Sequence, residues 1–145
     1  MTLLQFLTKK GFTKSKLRHT KTNHFEIKAT INGVKGRFIL DTGASNLCVD
    51  FNRIETFKLK TQETEVKATG VGATEMETQI SKKNSLKIGK WKKNKVAIVL
   101  FDLSHVNNEL VKHNIEPVDG LIGADILKKG DAVIDYKKKY LYLKL

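Results

Sequence analysis

The sequence predicts an all-β domain, a barrel or sandwich with few helices. Three observations lead there. Short runs of alternating apolar and polar residues recur along the chain, turn signals separate them, and helical patterning is confined to a few segments. The 145 residues fit one domain, and a hydrophobic content of 40% is enough to build its core. No internal repeat or low-complexity linker interrupts it.

Taken in order, TLLQFLTKKG (2–11) reads as a short helix. Thr2 and Gln5 have the capping-box spacing, Leu3, Leu4, Phe6 and Leu7 form one face, and Gly11 suits the C-terminal end. Residues 1–23 are therefore expected to be an N-terminal helix and a basic linker, ahead of a domain spanning 24–145. HFEIKATI (24–31) alternates cleanly, with Phe25, Ile27, Ala29 and Ile31 on one face. Asn32-Gly33 is a two-residue hairpin turn, and VKGRFIL (34–40) is the return strand. Further strands are expected at 65–69, 74–80, 85–88 and 95–101, with a glycine-bearing hairpin tip at 70–72. SHVNNELVKHN (104–114) is a helix capped by Ser104. VDGLIGADILKKG (118–130) reads as a buried strand, a glycine turn and a short helix, and 132–136 and 140–145 close the chain as a hairpin.

The chemistry gathers at RFILDTGASNLCVD (37–50), where an apolar strand ends by presenting the carboxylate of Asp41. Two other features accompany it: the hairpin ATGVGAT (68–74) and the apolar-apolar-glycine run Leu121-Ile122-Gly123 before a short helix. Together they resemble the retropepsin-like aspartic proteases, single-domain relatives of pepsin, and most closely the bacterial members. The resemblance covers roughly residues 24–145. It implies a closed acid-protease barrel and hydrolysis of peptide bonds by a water held between two aspartates that share one proton. Metal-free peptide hydrolysis needs an activated water and a proton for the departing amine, and such a pair supplies both.

A second aspartate is not at hand. Asp102, Asp119, Asp125 and Asp135 lack a following Thr/Ser-Gly, so the resemblance implies a two-fold homodimer in which each chain contributes Asp41. It also assigns Thr42 to the dimer axis and Gly43 to close backbone approach. Ala44 and Ser45 would border the substrate, Ser45 also steadying the Asp41 carboxylate. Gly70, Val71, Gly72 and Ala73 would form the flap over the substrate, and Leu121 and Ile122 an apolar floor behind the loop. No cofactor is expected. The C-terminal strand, with Leu141, Leu143 and Leu145 on one face, is the candidate terminal contribution to the dimer.

The net charge is +12, and KKNSLKIGKWKKNK (82–95) carries seven lysines without an acid. Such runs are compatible with nucleic acid, but no recognition motif accompanies them. Their alternation with apolar residues reads as solvated strand faces that block edge pairing. A non-catalytic peptide-binding or dimerisation module is the other alternative, against which the intact Asp-Thr-Gly-Ala-Ser speaks. Cys48 is expected to be a small buried hydrophobe, and His19, His24, His105 and His113 surface or cap residues. No Cys/His spacing suits zinc, and no apolar run suits a membrane span or a signal peptide. With a single cysteine, these features predict a cytoplasmic protein.

Overall fold

Alternation and turn chemistry set the first hairpin, and the rest of a closed barrel is built on it. The computed structural model describes residues 1–63 and 78–145. Helix α1 (Leu3–Lys9) begins as the capping box requires: Thr2 Oγ1 accepts from Gln5 N at 3.1 Å, and Gln5 Oε1 accepts from Thr2 N at 2.9 Å. It ends at Gly11, whose φ of +89° lies in the left-handed region. Leu7 alone of its apolar face is buried, while Leu3, Leu4 and Phe6 stay exposed.

Residues 12–16, expected as linker, are instead strand β1 (Phe12–Lys16). The sequence FTKSK hides this because it offers one apolar residue and no inward face. Its register comes from a distant partner, strand β11 (Tyr140–Lys144), with Phe12 opposite Lys144 and Lys16 opposite Tyr140. Strand β11 also pairs with β10 (Val133–Asp135), the closing hairpin expected from the sequence. Both edges of β11 are thus occupied within the chain, and Leu141 and Leu143 are buried. Of the three leucines of the C-terminal strand, the candidate terminal contribution to a dimer, Leu145 is the one left exposed.

The short β2 (Arg18–His19) pairs with β3 (Phe25–Ile31), which turns into β4 (Val34–Leu40) through Asn32 and Gly33 at φ +50° and +84°. The chain then passes through β5 (Cys48–Asp50), a 3-10 turn (Phe51–Arg53) and β6 (Gln62–Glu63). Two long strands follow, β7 (Gln79–Ile88) and β8 (Trp91–Phe101). Within β7, Asn84 marks a bulge; its side-chain amide donates to Ser81 O and Val96 O at 3.1 and 3.3 Å. All seven lysines of this hairpin are exposed, as the alternation predicted. The expected strand at 65–69 and hairpin tip at 70–72 lie outside the described residues.

Helix α2 (Ser104–Lys112) starts where expected, but its N-cap position is Leu103, without a side-chain cap bond, and the acceptor beside it is the carboxylate of Asp102. Its Oδ1 accepts from Ser104 N at 2.8 Å, and that bond holds the carboxyl below the usual carboxylate range. Strand β9 (Gly120–Ile122) and helix α3 (Ala124–Lys129) complete the set. The hydrogen-bonded ring runs β3-β4-β9-β5-β8-β7, and it closes because Thr30 and Ile31 of β3 pair with Lys87 and Leu86 of β7. Six strands therefore form a closed barrel, filled by Ile31, Phe38, Leu86, Trp91 and Ile98, none more than 1% exposed. Each such side chain contributes roughly 1.5–3 kcal/mol by leaving water. A second apolar cluster joins α2 to the barrel wall through Leu103, Leu110, Ile39, Cys48 and Leu121.

Candidate active site

The apolar lead-in to Asp41 is a barrel strand. Phe38, Ile39 and Leu40 are buried, and the next residue emerges half-buried at the strand's end. Asp41 N donates to Ile122 O at 2.9 Å, which prolongs the parallel pairing of β4 with β9 by one bond. The chain then turns sharply: Ala44 N donates to Asp41 O at 3.2 Å, and Gly43 N donates to Asp41 Oδ1 at 2.9 Å. This last bond fixes the orientation of the carboxylate.

The turn is sewn to the segment after β9. Ala124 N donates to Ala44 O at 2.7 Å, and Asp125 N donates to Ser45 O at 3.3 Å. The crossing is tight enough to require glycine at 123, where a Cβ would stand 2.5 Å from Asn46 O and 2.7 Å from Ala44 O. Gly120 faces a harder limit, with a Cβ only 2.0 Å from Cys48 O. Asp-Thr-Gly-Ala-Ser and Gly-Leu-Ile-Gly, which the sequence keeps far apart, thus meet backbone to backbone.

Thr42, Gly43 and Ser45 are exposed, and Ala44 is buried. The Thr42 hydroxyl has no partner among the described residues. Ser45 makes no bond to Asp41; the backbone of Gly43 does that instead. Leu121 and Ile122 are 2% and 0% exposed and fall in the two different apolar clusters, so they back the loop from both sides of the barrel wall. Gly70, Val71, Gly72 and Ala73 lie outside the described residues. Asp125 accepts from Ile126 N at 2.8 Å at the start of α3.

Cys48 lies beneath the loop, its Sγ donating to Asn46 O at 3.1 Å. Burial, and then the Asp125 and Asp41 carboxylates, push the thiol up to about 12, so it stays protonated. Sequence reasoning missed Asp119, which clamps the far end of the same strands. Its Oδ2 accepts from Arg37 N at 2.9 Å, and its Oδ1 pairs with Arg53 Nε at 2.9 Å. Nothing local in Val-Asp-Gly announces this, because both partners are far away in sequence. Among the described residues no group of three or more His, Cys, Asp and Glu side chains is placed to hold a metal ion, and no helix is long and apolar enough to cross a membrane.

The fold that carries this loop has known counterparts. A retropepsin-like aspartic protease from Rickettsia conorii superposes with a TM-score of 0.58 at 20% identity, covering 91% of this chain and 90% of that one. The EIAV protease in complex with the inhibitor HBY-793 gives 0.60 at 18% identity, covering 81% and 98%. The retroviral protease-like domain of Ddi1 from Leishmania major gives 0.53 at 18% identity, covering 81% and 86%. At these identities the likeness speaks for the fold. No curated protein matches the sequence. The family model described as aspartyl protease matches residues 27–126, which include both the Asp41 loop and the Gly123 crossing, and the chain belongs to that family.

Proposed function

We propose that the protein is an aspartic endopeptidase that acts as a two-fold homodimer, each protomer supplying Asp41 to one shared site. The observation that carries this is the stapled loop: one fixed carboxylate stands at the protein surface beside an exposed Thr42 whose hydroxyl has no partner among the described residues. One such carboxylate is half of the required pair, and a two-fold axis beside the loop provides the other. Thr42 would then spend its hydroxyl on the partner's loop.

In the working site one Asp41 is ionised and the other protonated, since two close like charges do not both ionise readily. The ionised carboxylate takes a proton from water as the water oxygen bonds to the scissile carbonyl carbon. The protonated one donates to the carbonyl oxygen, giving a tetrahedral diol. Collapse of the diol breaks the C–N bond, passes a proton to the leaving nitrogen, and releases an acid and an amine. Gly43 and Ala44 would border the substrate backbone, with Ser45 at the rim. Leu121 and Ile122, from behind, would keep the floor apolar. Residues 68–74, with Gly70, Val71, Gly72 and Ala73, would be the flap whose closure excludes water. We place the activity in the cytoplasm, on the strength of one unpaired cysteine.

The test is subunit mixing. Asp41→Asn preserves the acceptor for Gly43 N and removes the base, so it should fold and be inactive. Excess Asp41→Asn protein mixed into wild type should suppress peptide cleavage beyond simple dilution, because mixed dimers hold one carboxylate. A strictly monomeric sedimentation profile under conditions of active cleavage would overturn the shared site.

A further inference from the structure

We propose that the outward face of the β3–β4 hairpin, where it continues onto β7 and β8 and faces β1, is a docking groove for an acidic polypeptide segment. Two adjoining cavities of about 560 and 750 Å³ lie along it and share Lys28, Arg37 and Gly89. No residue of the Asp41 loop lines either one. The groove is therefore separate from the catalytic reading and stands or falls without it.

The strand register concentrates positive charge there. Lys28 lies directly opposite Arg37 across β3 and β4. Thr30 lies opposite Lys35 on one side and Lys87 on the other, and Lys87 lies opposite Lys92. Residues paired in this way share a face, so Lys35, Thr30, Lys87 and Lys92 form one row across four strands, about 14 Å long at an interstrand spacing of ~4.8 Å. Like charges directly opposite one another destabilise a sheet. Arg37 is relieved by Glu26 and Glu116, but Lys28, Lys35, Lys87 and Lys92 have no carboxylate at ion-pair distance among the described residues. Carboxylates brought by a ligand would remove that repulsion.

The groove's composition favours a polypeptide over a nucleic acid. Among the described residues no aromatic side chain lines either cavity, which leaves bases no stacking platform there. Glu116 and Asp119 stand in the second cavity among the cations. They would repel a continuous run of phosphates, whereas a peptide meets them with backbone N–H groups and places its own carboxylates on the lysines. An extended segment of four or five residues spans the row at roughly 3.3 Å per residue.

The experiment uses full-length Asp41→Asn protein, which prevents cleavage, and fluorescence anisotropy of a labelled 12-residue peptide of alternating Glu and Ser. The Glu peptide should bind at 50 mM salt, a Gln-for-Glu peptide should not, and affinity should fall with added salt. Adding Lys28→Glu and Lys87→Glu should weaken binding at least tenfold, whereas Lys138→Glu with Lys139→Glu, in the turn before β11, should change it less than twofold. If charge reversal impairs folding, Lys28→Gln with Lys87→Gln should still cost at least threefold. Absence of Glu-peptide binding, equal losses from the Lys138/Lys139 pair, or tighter binding of an equally charged single-stranded oligonucleotide that the Lys28/Lys87 changes abolish would each overturn the proposal.

Discussion

Gly123→Ala is the sharpest test of the crossed backbone beneath the candidate active site. Gly123 has φ −107° and ψ −172°, extended backbone that alanine adopts freely, so any cost comes from contact alone. The new methyl would meet Asn46 O at 2.5 Å and Ala44 O at 2.7 Å, both inside van der Waals contact and both on backbone that cannot rotate away. Relief requires the two segments to part. Overpacking of this kind costs about 2 kcal/mol. Parting also weakens the bonds from Ala124 N to Ala44 O and from Asp125 N to Ser45 O, roughly 1 kcal/mol for each one lost. Alanine returns about 0.7 kcal/mol by restricting the unfolded chain. The net is a loss of about 3 kcal/mol, or on the order of 10 °C in Tm for a domain of this size. Urea and thermal unfolding followed by circular dichroism measure it. Gly43→Ala serves as comparison, since its Cβ meets only the Asp41 carboxylate at 3.3 Å. Gly123→Ala stability within about 0.5 kcal/mol of wild type, the usual scatter of an innocuous change, would refute the tight crossing.

Three further outcomes are expected. The rate of peptide cleavage should follow a bell in pH, because only the singly ionised aspartate pair is active; a single limb rising into alkaline solution would contradict the shared proton. Cys48 has a folded-state pKa raised from 9.0 to about 12, so its contribution to stability is complete below pH 9 and is lost as pH rises from there towards 12. The stability difference between wild type and Cys48→Ala should shrink between pH 8 and pH 11, and a pH-independent difference would show the thiol to be exposed. Asp102→Ala removes the acceptor for Ser104 N and should cost about 1 kcal/mol in denaturant unfolding, with Ser104→Ala costing less because the Ser104 side chain does not cap α2.

The parts of the fold that were legible in the sequence are those set by local physics. The capping box at Thr2 and Gln5, the alternation over 24–31, and the positive φ values of Asn32 and Gly33 involve neighbours only. The Asp41 loop was legible because its residue pattern resembles that of a known family, and the family match over residues 27–126 includes it. Strand β1 was not: FTKSK carries no inward face, and only the partnership with β11 makes it a strand. The three-residue β5 is too short for any periodicity to register. Ser104 looked like a cap because serine is a common one, yet Asp102 lies better for Ser104 N. Ser45 was expected to hold Asp41, a task the backbone of Gly43 performs without any side-chain signature. Distances such as that between Gly123 and Asn46 O belong to tertiary structure, and the glycine at 123 records only that something comes close.

The pairing of β1 with β11 has a consequence for how the molecule assembles in time. Residues 12–16 wait for residues 140–144, so β2 to β10 must all be synthesised before β1 has a neighbour. Loop closure over that span is costly, and contacts of this separation form late in folding. The barrel ring can close through β3 and β7 before residue 140 exists, and α1, whose apolar residues are mostly exposed, has little to hold it until β1 is in place. Native-state hydrogen exchange should therefore find β3, β4, β7 and β8 as the slow-opening unit and α1–β1–β11 as a separate, faster one. The final step of folding would be the docking of residues 12–16 onto residues 140–144.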